Sequence, residues 1–312
     1  MRLLLTGANG MLGSSIADSW RSQRPDDELF AVTRADADLR DPAAVRDLVD
    51  RVAPDAIVHA AAVVGGIAAK IAEPTPYLAD NVAIDSSILH AAIDARVPEL
   101  LYLSSAAIYP EAADQPIGES ALLTGPLEAA NEGYGLAKIA GGKVCEYASR
   151  QYGLAYRAVA PSNLYGPNDD YSLGHGHLIA ATLAKVHEAK ARGADSVTIW
   201  GDGTARREFT YAPDLASWLV SQVGALRDWP PLLNVGVGAD HTITEYYEAA
   251  AAVVGFDGRF EFDLSKPSGA PRRLLDSSRA RDLGWQPTTD LADGMAACYR
   301  QFLATARMDP SS

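Results

Sequence analysis

The 312-residue chain is 48% hydrophobic and 21% charged, an ordinary soluble composition, and long enough to bury about three-quarters of its unfolded surface in one large domain or two. Its formal charge of −13 argues against a basic surface for nucleic acid, although a few local arginines can still serve an anionic ligand. Two distant cysteines, Cys145 and Cys298, read as reduced thiols of a cytoplasmic protein; no apolar run approaches the ~18 residues of a membrane span, and Met1-Arg2 leads into a strand without a signal peptide.

Arg2 to Thr6 is a short apolar strand, GANG is a loop, and a helix runs from about Met11 to Ser22. ELFAVT is the second strand. Asp41-Pro42 opens the next helix with an N-cap and a proline at its first position. DAIVHAA is a third buried strand, followed by a helix over about Pro76 to Ala95 and a fourth strand, LLYLSS. A helix from about Asn131 to Tyr152 precedes the fifth strand, LAYRAVAP. Strands separated by helices imply an α/β fold with a doubly wound parallel sheet of the Rossmann type.

From Asn163 to Pro167 onward the pattern loosens. Residues 1–166 are therefore expected to be mainly dinucleotide-binding. Residues 167–312 are expected to be mainly a smaller α/β substrate-binding region, with some segments returning to the first layer. That region carries a helix near His177 to Arg192, the strand SVTIW, and helices near Pro213 to Leu226 and Thr244 to Val254. The end, ARMDPSS, reads as a loose tail.

Gly7, Gly10 and Gly13 form GxxGxxG at a strand-to-helix junction, with Asn9, Met11 and Leu12 between them. Glycine permits the tight turn and lets backbone N–H groups approach a pyrophosphate at the helix N-terminus. The second strand ends at Val32-Thr33-Arg34 with no acidic residue at its tip to hold a ribose diol. Arg34 there suits a 2′-phosphate, which favours NADP(H) over NAD; a lone surface arginine is the competing reading. Asp38 and Leu39 are candidate adenine contacts. Ala60, Ala61 and Ala62 end the third strand with small side chains where a cofactor passes closely, a pattern that plain packing also produces.

Tyr134 and Lys138 are spaced YxxxK, so they share one helix face and the ammonium can approach the phenol. A free phenol has a pKa of ~10, and a nearby cation pulls it towards neutrality. Leu103, Ser104 and Ser105 end the fourth strand between the glycine loop and this pair. The combination points to an oxidoreductase site, and no metal enters it.

Over nearly its whole length the chain resembles the extended short-chain dehydrogenase/reductase family. Within that family it is similar to the GDP-L-fucose synthases, NADPH-dependent 3,5-epimerase/4-reductases acting on GDP-4-keto-6-deoxymannose. The likeness is carried by GANGMLG, AAVVGGI (61 to 67), AIYP (107 to 110), NEGYGLAKIAG, SNLYGPND (162 to 169), WGDGTARREF (200 to 209), NVGVG (234 to 238) and KPSGAPRRLLD (266 to 276). The resemblance implies that Ser105, Tyr134 and Lys138 form the reductase triad, and that Tyr134 protonates the nascent alkoxide. It implies that Ser105 bonds the carbonyl and that Lys138 holds the nicotinamide ribose. Pro161, Asn163 and Leu164 match the nicotinamide-side segment. Lys185, Trp200, Arg207 and Arg259, together with Ser105, Ala107 and Asn163, would line the site of a GDP- or dTDP-linked sugar. A homodimer paired through the Pro76–Ala95 and Asn131–Tyr152 helices is the family's usual assembly.

One residue departs from the pattern. Fucose synthases place a cysteine base before Ile-Tyr-Pro, and here that position is Ala107. Removing a proton beside a ketone needs a base within hydrogen-bond reach, and alanine has none. The partner histidine is matched by His177, with His175 two residues earlier as an alternative. His177 also reads as a cofactor or sugar contact, or as a plain polar residue at a helix start. The sequence therefore supports an NADPH-dependent C4-ketoreductase of a nucleotide-linked 4-keto-6-deoxyhexose without 3,5-epimerisation. Three alternatives stay open: a bifunctional fucose synthase using another base, an NAD-dependent 4-epimerase or dehydratase, and a non-catalytic nucleotide-binding regulator.

Overall fold

The computed structural model describes residues 1–172, 176–266 and 270–308. The first half runs β1 (Arg2–Thr6), α1 (Met11–Gln23), β2 (Glu28–Val32), α2 (Pro42–Val52), β3 (Ala56–His59), α3 (Ile67–Ala72), α4 (Pro74–Asp94), β4 (Glu99–Leu103), α5 (Glu132–Tyr152), β5 (Ala155–Pro161) and β6 (Asn163–Tyr165). The second half runs α6 (Leu178–Ala191), β7 (Ser196–Trp200), β8 (Arg206–Arg207), β9 (Phe209–Tyr211), α7 (Ala212–Gln222), β10 (Leu232–Val235), β11 (His241–Thr242), α8 (Ile243–Val254), β12 (Arg259–Asp263), β13 (Arg272–Arg273), α9 (Ser278–Asp282) and α10 (Leu291–Met308).

Six parallel strands stand in the order β10-β5-β4-β3-β1-β2. The period of two along each strand splits the core between the faces. Leu3 and Leu5 of β1 pack with Ile16 and Trp20 of α1 and with Leu215 and Leu219 of α7. Leu4, between them, faces Val45 and Leu48 of α2 and Ile88 and Ala92 of α4. This is the doubly wound Rossmann architecture that the strand–helix alternation implies. The chain leaves β1 to one side for β2 and returns on the other for β3, so a crevice opens at the carboxyl ends of β1 and β3.

Local chemistry fixes the boundaries. Asp41 caps α2 by accepting from the Ala43 N–H at 2.9 Å, with Pro42 at the first position. Thr242 and Glu245 close a capping box at α8. A third core gathers Ile179, Leu183, Val197, Ile199, Tyr246, Val254 and Met295 from α6, β7, α8 and α10. Meanwhile α7 and β10 return to the six-stranded sheet.

Some expectations shift. The helix expected to reach Leu226 stops at Gln222, and Leu226–Asp228 form a separate turn. Helix α3, the short strands β6, β8, β9, β11 and β13, and helix α10 have no counterpart in the sequence reading. Ala306 to Met308, expected in a loose tail, continue α10; residues 309–312 lie outside the described residues. No helix among the described residues is long and apolar enough to cross a membrane.

Candidate functional site

The glycine loop sits at the crevice. Gly7 has φ +72°, and a Cβ there would come within 2.7 Å of the Ala60 carbonyl carbon. A Cβ on Gly13 would meet the Gly7 carbonyl oxygen at 2.0 Å, so this helix-to-loop approach requires glycine. Helix α1 begins at Met11 behind Gly10, with no side chain capping its first N–H groups. That open helix start, beside the small residues Ala60 to Ala62, fits a dinucleotide pyrophosphate.

At the tip of β2 the expected absence of an acid needs amending. Asp36 lies three residues beyond Thr33 and folds back to accept from its N–H at 2.8 Å and its hydroxyl at 2.9 Å. Its carboxylate is thus engaged with the loop itself, while Arg34 is exposed and in no ion pair among the described residues. Asp38 is bonded through both oxygens to Arg40, which holds its carboxyl down at about 2; Leu39 beside it packs on the core.

The carboxyl end of β4 delivers Leu103, Ser104 and Ser105. Ser105 caps a short turn by accepting from the Ala107 N–H at 3.2 Å. Tyr134 and Lys138 are both buried on α5, one turn apart, and the Ser105 side chain lies close enough to Tyr134 to favour the charged form of its phenol. Ala107 is adjacent: a Cβ on Gly135 would approach the Ala107 carbonyl oxygen to 2.7 Å. Pro161 ends β5, and Asn163 of β6 donates to the Glu208 carbonyl at 3.1 Å. The triad, the glycine loop and Pro161 to Leu164 thus gather along the carboxyl edge of the sheet.

The electrostatics differ from the expected Tyr–Lys couple. Lys138 is paired with Asp85 of α4, and Asp85 also accepts from Tyr102 at 2.5 Å and bonds His59 Nε2 at 3.0 Å. His59 Nδ1 in turn meets Thr6 Oγ1 at 2.7 Å, so a buried polar chain links the end of β1 to the catalytic helix. Burial alone would raise Asp85, but Lys138, His59 and Tyr102 hold its carboxyl below the ordinary range. Burial and the Asp85 charge push the Tyr134 phenol well above its usual pKa, against the opposing effect of the Ser105 side chain. Lys138 therefore does not make Tyr134 acidic in the cofactor-free protein, because its charge is already answered by Asp85.

The sequence reading missed Asp85, His59 and Lys70. Nothing in spacing marks them, since the Asp85–Lys138 contact spans 53 residues. Lys70 of α3 lies over the Tyr134 ring with Nζ 4.9 Å from the centroid, and burial pulls its ammonium down to about 8. His177 stands at the start of α6, its Nδ1 2.8 Å from Asp169 Oδ1. Asp169 Oδ2 is buried with no hydrogen-bond partner among the described residues. The alternative His175 lies outside the described residues.

The expected sugar-nucleotide residues divide. Lys185 donates to the Thr198 carbonyl in mid β7, and Trp200, exposed at the end of that strand, has Lys266 Nζ 5.5 Å from its ring centroid. Arg207 donates to the Ala270 carbonyl at 2.6 Å and is pulled down by burial, with the Glu128 charge opposing and Arg273 reinforcing. Glu128 acts on Lys70 as well, so Arg207 borders the Tyr134 side of the cleft. Arg259 sits opposite Ser196 at the far end of the β7–β12 ribbon, about 13 Å of strand from the Trp200 end, paired with Glu261 at 3.0 Å. The structure does not bring Arg259 to the others.

A family model, described as the NAD dependent epimerase/dehydratase family, matches residues 3–236. The chain belongs to that family. It is 44% identical over 310 residues to the GDP-L-fucose synthase of Escherichia coli (strain K12), covering 97% of this chain and 96% of that one. It is 39% identical over 304 residues to the GDP-L-colitose synthase of Yersinia pseudotuberculosis, covering 97% and 98%. Among solved structures it is similar to a GDP-mannoheptose C4 reductase from Campylobacter jejuni with NADP bound, at a TM-score of 0.87 and 26% identity, covering 97% and 98%. The parallel sheet is therefore that of an NAD(P)-dependent epimerase/reductase-family enzyme.

Proposed function

We propose that the protein is an NADPH-dependent reductase of the C4 ketone of a GDP-linked 4-keto-6-deoxyhexose, leaving C3 and C5 in the configuration supplied. The observation that carries this is the convergence of Ser105, at the end of β4, on the buried Tyr134 phenol, with Lys138 one turn further along α5. It supports a site in which two hydroxyls converge on one carbonyl oxygen: Ser105 orients it and Tyr134 protonates it. Bound NADPH supplies the hydride. Gly7 to Gly13 would hold its pyrophosphate and Arg34 its 2′-phosphate. Asp38, Leu39, Ala60 to Ala62, Leu103, Ser104, Pro161, Asn163, Leu164 and His177 would line its remaining length, and Lys138 would hold the ribose. The guanosine diphosphate assignment rests on the fucose, colitose and mannoheptose relatives above, each named as a GDP-sugar enzyme.

In this reading residues 1–166 mainly hold the dinucleotide, and 167–312 mainly the sugar nucleotide through Lys185, Trp200 and Arg207. A homodimer is part of it, supported by Leu78 and Val82 of α4 and Leu136 and Tyr147 of α5, apolar residues left exposed on two helices packed together. A cytoplasmic location suits the use of NADPH and the two free, buried cysteines. The test is incubation of GDP-4-keto-6-deoxymannose with NADPH and assignment of the product by NMR. No NADPH consumption with this or any other GDP-4-keto sugar overturns the reading.

A second reading is favoured by one observation. The Asp169–His177 pair fixes the imidazole tautomer, as a functioning acid–base histidine requires. With a base other than a residue-107 cysteine, the protein would be a bifunctional 3,5-epimerase/4-reductase.

A further inference from the structure

We propose that Lys70 returns the proton to Tyr134 after each turnover, serving the catalytic tyrosine from the mouth of the cleft while Lys138 is paired with Asp85. The inference rests on the reductase reading above.

The two lysines flank the same ring differently. Lys138 Nζ lies 6.0 Å from the Tyr134 centroid, 1% exposed and bound to Asp85. From Asp85 the polar chain continues to His59 and Thr6, both wholly buried, and so ends without reaching solvent. Lys70 Nζ is nearer, at 4.9 Å, on a partly exposed residue. Its hydrogen-bond partner is the neutral Asn131 Oδ1 at 2.9 Å. Asn131 in turn donates to Glu128 at 2.7 Å, the one carboxylate whose charge acts on Lys70. Lys70 is thus a cation without an ion-pair partner among the described residues, set between the tyrosine and water.

The proton inventory closes. Once C4 has received a hydride, its oxygen takes the phenolic proton of Tyr134 and leaves a phenolate. The tyrosine O–H bond is re-formed as a Lys70 N–H bond breaks, directly or through one water, and the neutral amine takes a proton from bulk water or buffer. Burial raises the phenol and lowers the ammonium to about 8, so transfer from ammonium to phenolate runs downhill. The flexible four-carbon stem lets the amine travel between ring and solvent.

Two substitutions separate proton delivery from charge. Lys70→Met removes both, whereas Lys70→Arg keeps a cation that cannot release a proton near neutrality. In rapid mixing of GDP-4-keto-6-deoxymannose with NADPH-loaded protein, both variants should show a first turnover at the native rate. Their steady-state rates should fall about a hundredfold or more, the lower edge of typical acid–base contributions. Ethylamine should restore the Lys70→Met rate. Independently of turnover, NMR of 13C-labelled lysines in the cofactor-free protein should show a lysine titrating near 8 that is missing from Lys70→Met. The proposal is overturned by an unchanged steady-state rate in either variant, by an equal loss in the first turnover, or by the absence of that titrating lysine. If the native protein consumes no NADPH with GDP-4-keto sugars, it is the reductase reading that falls.

Discussion

Lys138 Nζ lies 3.3 Å from Oδ1 and 3.5 Å from Oδ2 of Asp85, an ion pair sealed between α5 and α4. The pair ties the catalytic helix to its neighbour and sets where the ammonium rests before any ligand arrives. Breaking a buried pair by removing one partner typically costs about 3–5 kcal/mol, since the other charge is left unanswered. Asp85→Asn should therefore lower the unfolding free energy read from urea titration by that amount, and adding Lys138→Met should recover most of it. A single substitution as mild as a surface change, below about 0.5 kcal/mol, would show that the pair does not hold α4 to α5.

Tyr134→Phe removes the phenol hydroxyl proposed as proton donor while leaving the ring in place. Reduction of the 4-keto sugar should fall by ~10²–10⁴, the usual scale of general acid catalysis, with NADPH binding retained. Fluorescence titration of NADPH alongside turnover separates the two. Near-native turnover would remove Tyr134 from the chemistry.

Arg34→Ala should erase most of a preference for NADPH over NADH. A charge-assisted contact contributes about 1.5–3 kcal/mol, equivalent to roughly ten- to a hundredfold in affinity. Equal use of both cofactors by the native protein would leave Arg34 an ordinary surface residue.

Lys70 should destabilise the fold near neutrality. Its folded pKa is depressed from 10.5 to about 8, so the stability it contributes is present above 10.5 and is lost as pH falls through about 8. At pH 7 the cost has a ceiling of about 3 kcal/mol, reduced by partial exposure. Lys70→Met should then raise the melting temperature at pH 7, with the gain shrinking between pH 8 and 10.5. A gain independent of pH would point to packing instead.

With Ala107 in place of a base, incubating the keto sugar in D2O without cofactor should add no deuterium at C3 or C5 above the spontaneous rate. Mass spectrometry reads this directly. Prompt incorporation would show that His177, held by Asp169, or another group performs the exchange, and would favour the bifunctional reading. Ala107→Cys gives the converse test, because it restores a thiol next to the Tyr134 helix.

The sequence by itself determined the parallel sheet and marked the glycine loop. These are local signals: a tight turn requires glycine at Gly7 and Gly13, short apolar runs between helical stretches mark β1 to β5, and helical spacing puts Tyr134 and Lys138 on one face. The short strands β6, β8, β9, β11 and β13 escaped it because two or three residues carry no period. The tertiary structure alone decided what answers each charge. Asp85 reaches Lys138 across 53 residues, and Lys70 reaches Tyr134 from a separate helix. It also left Arg259 at the far end of its ribbon. Burial and through-space charge set the protonation of Tyr134, Lys70 and Asp85, and both depend on which elements pack together rather than on which residues are neighbours in the chain.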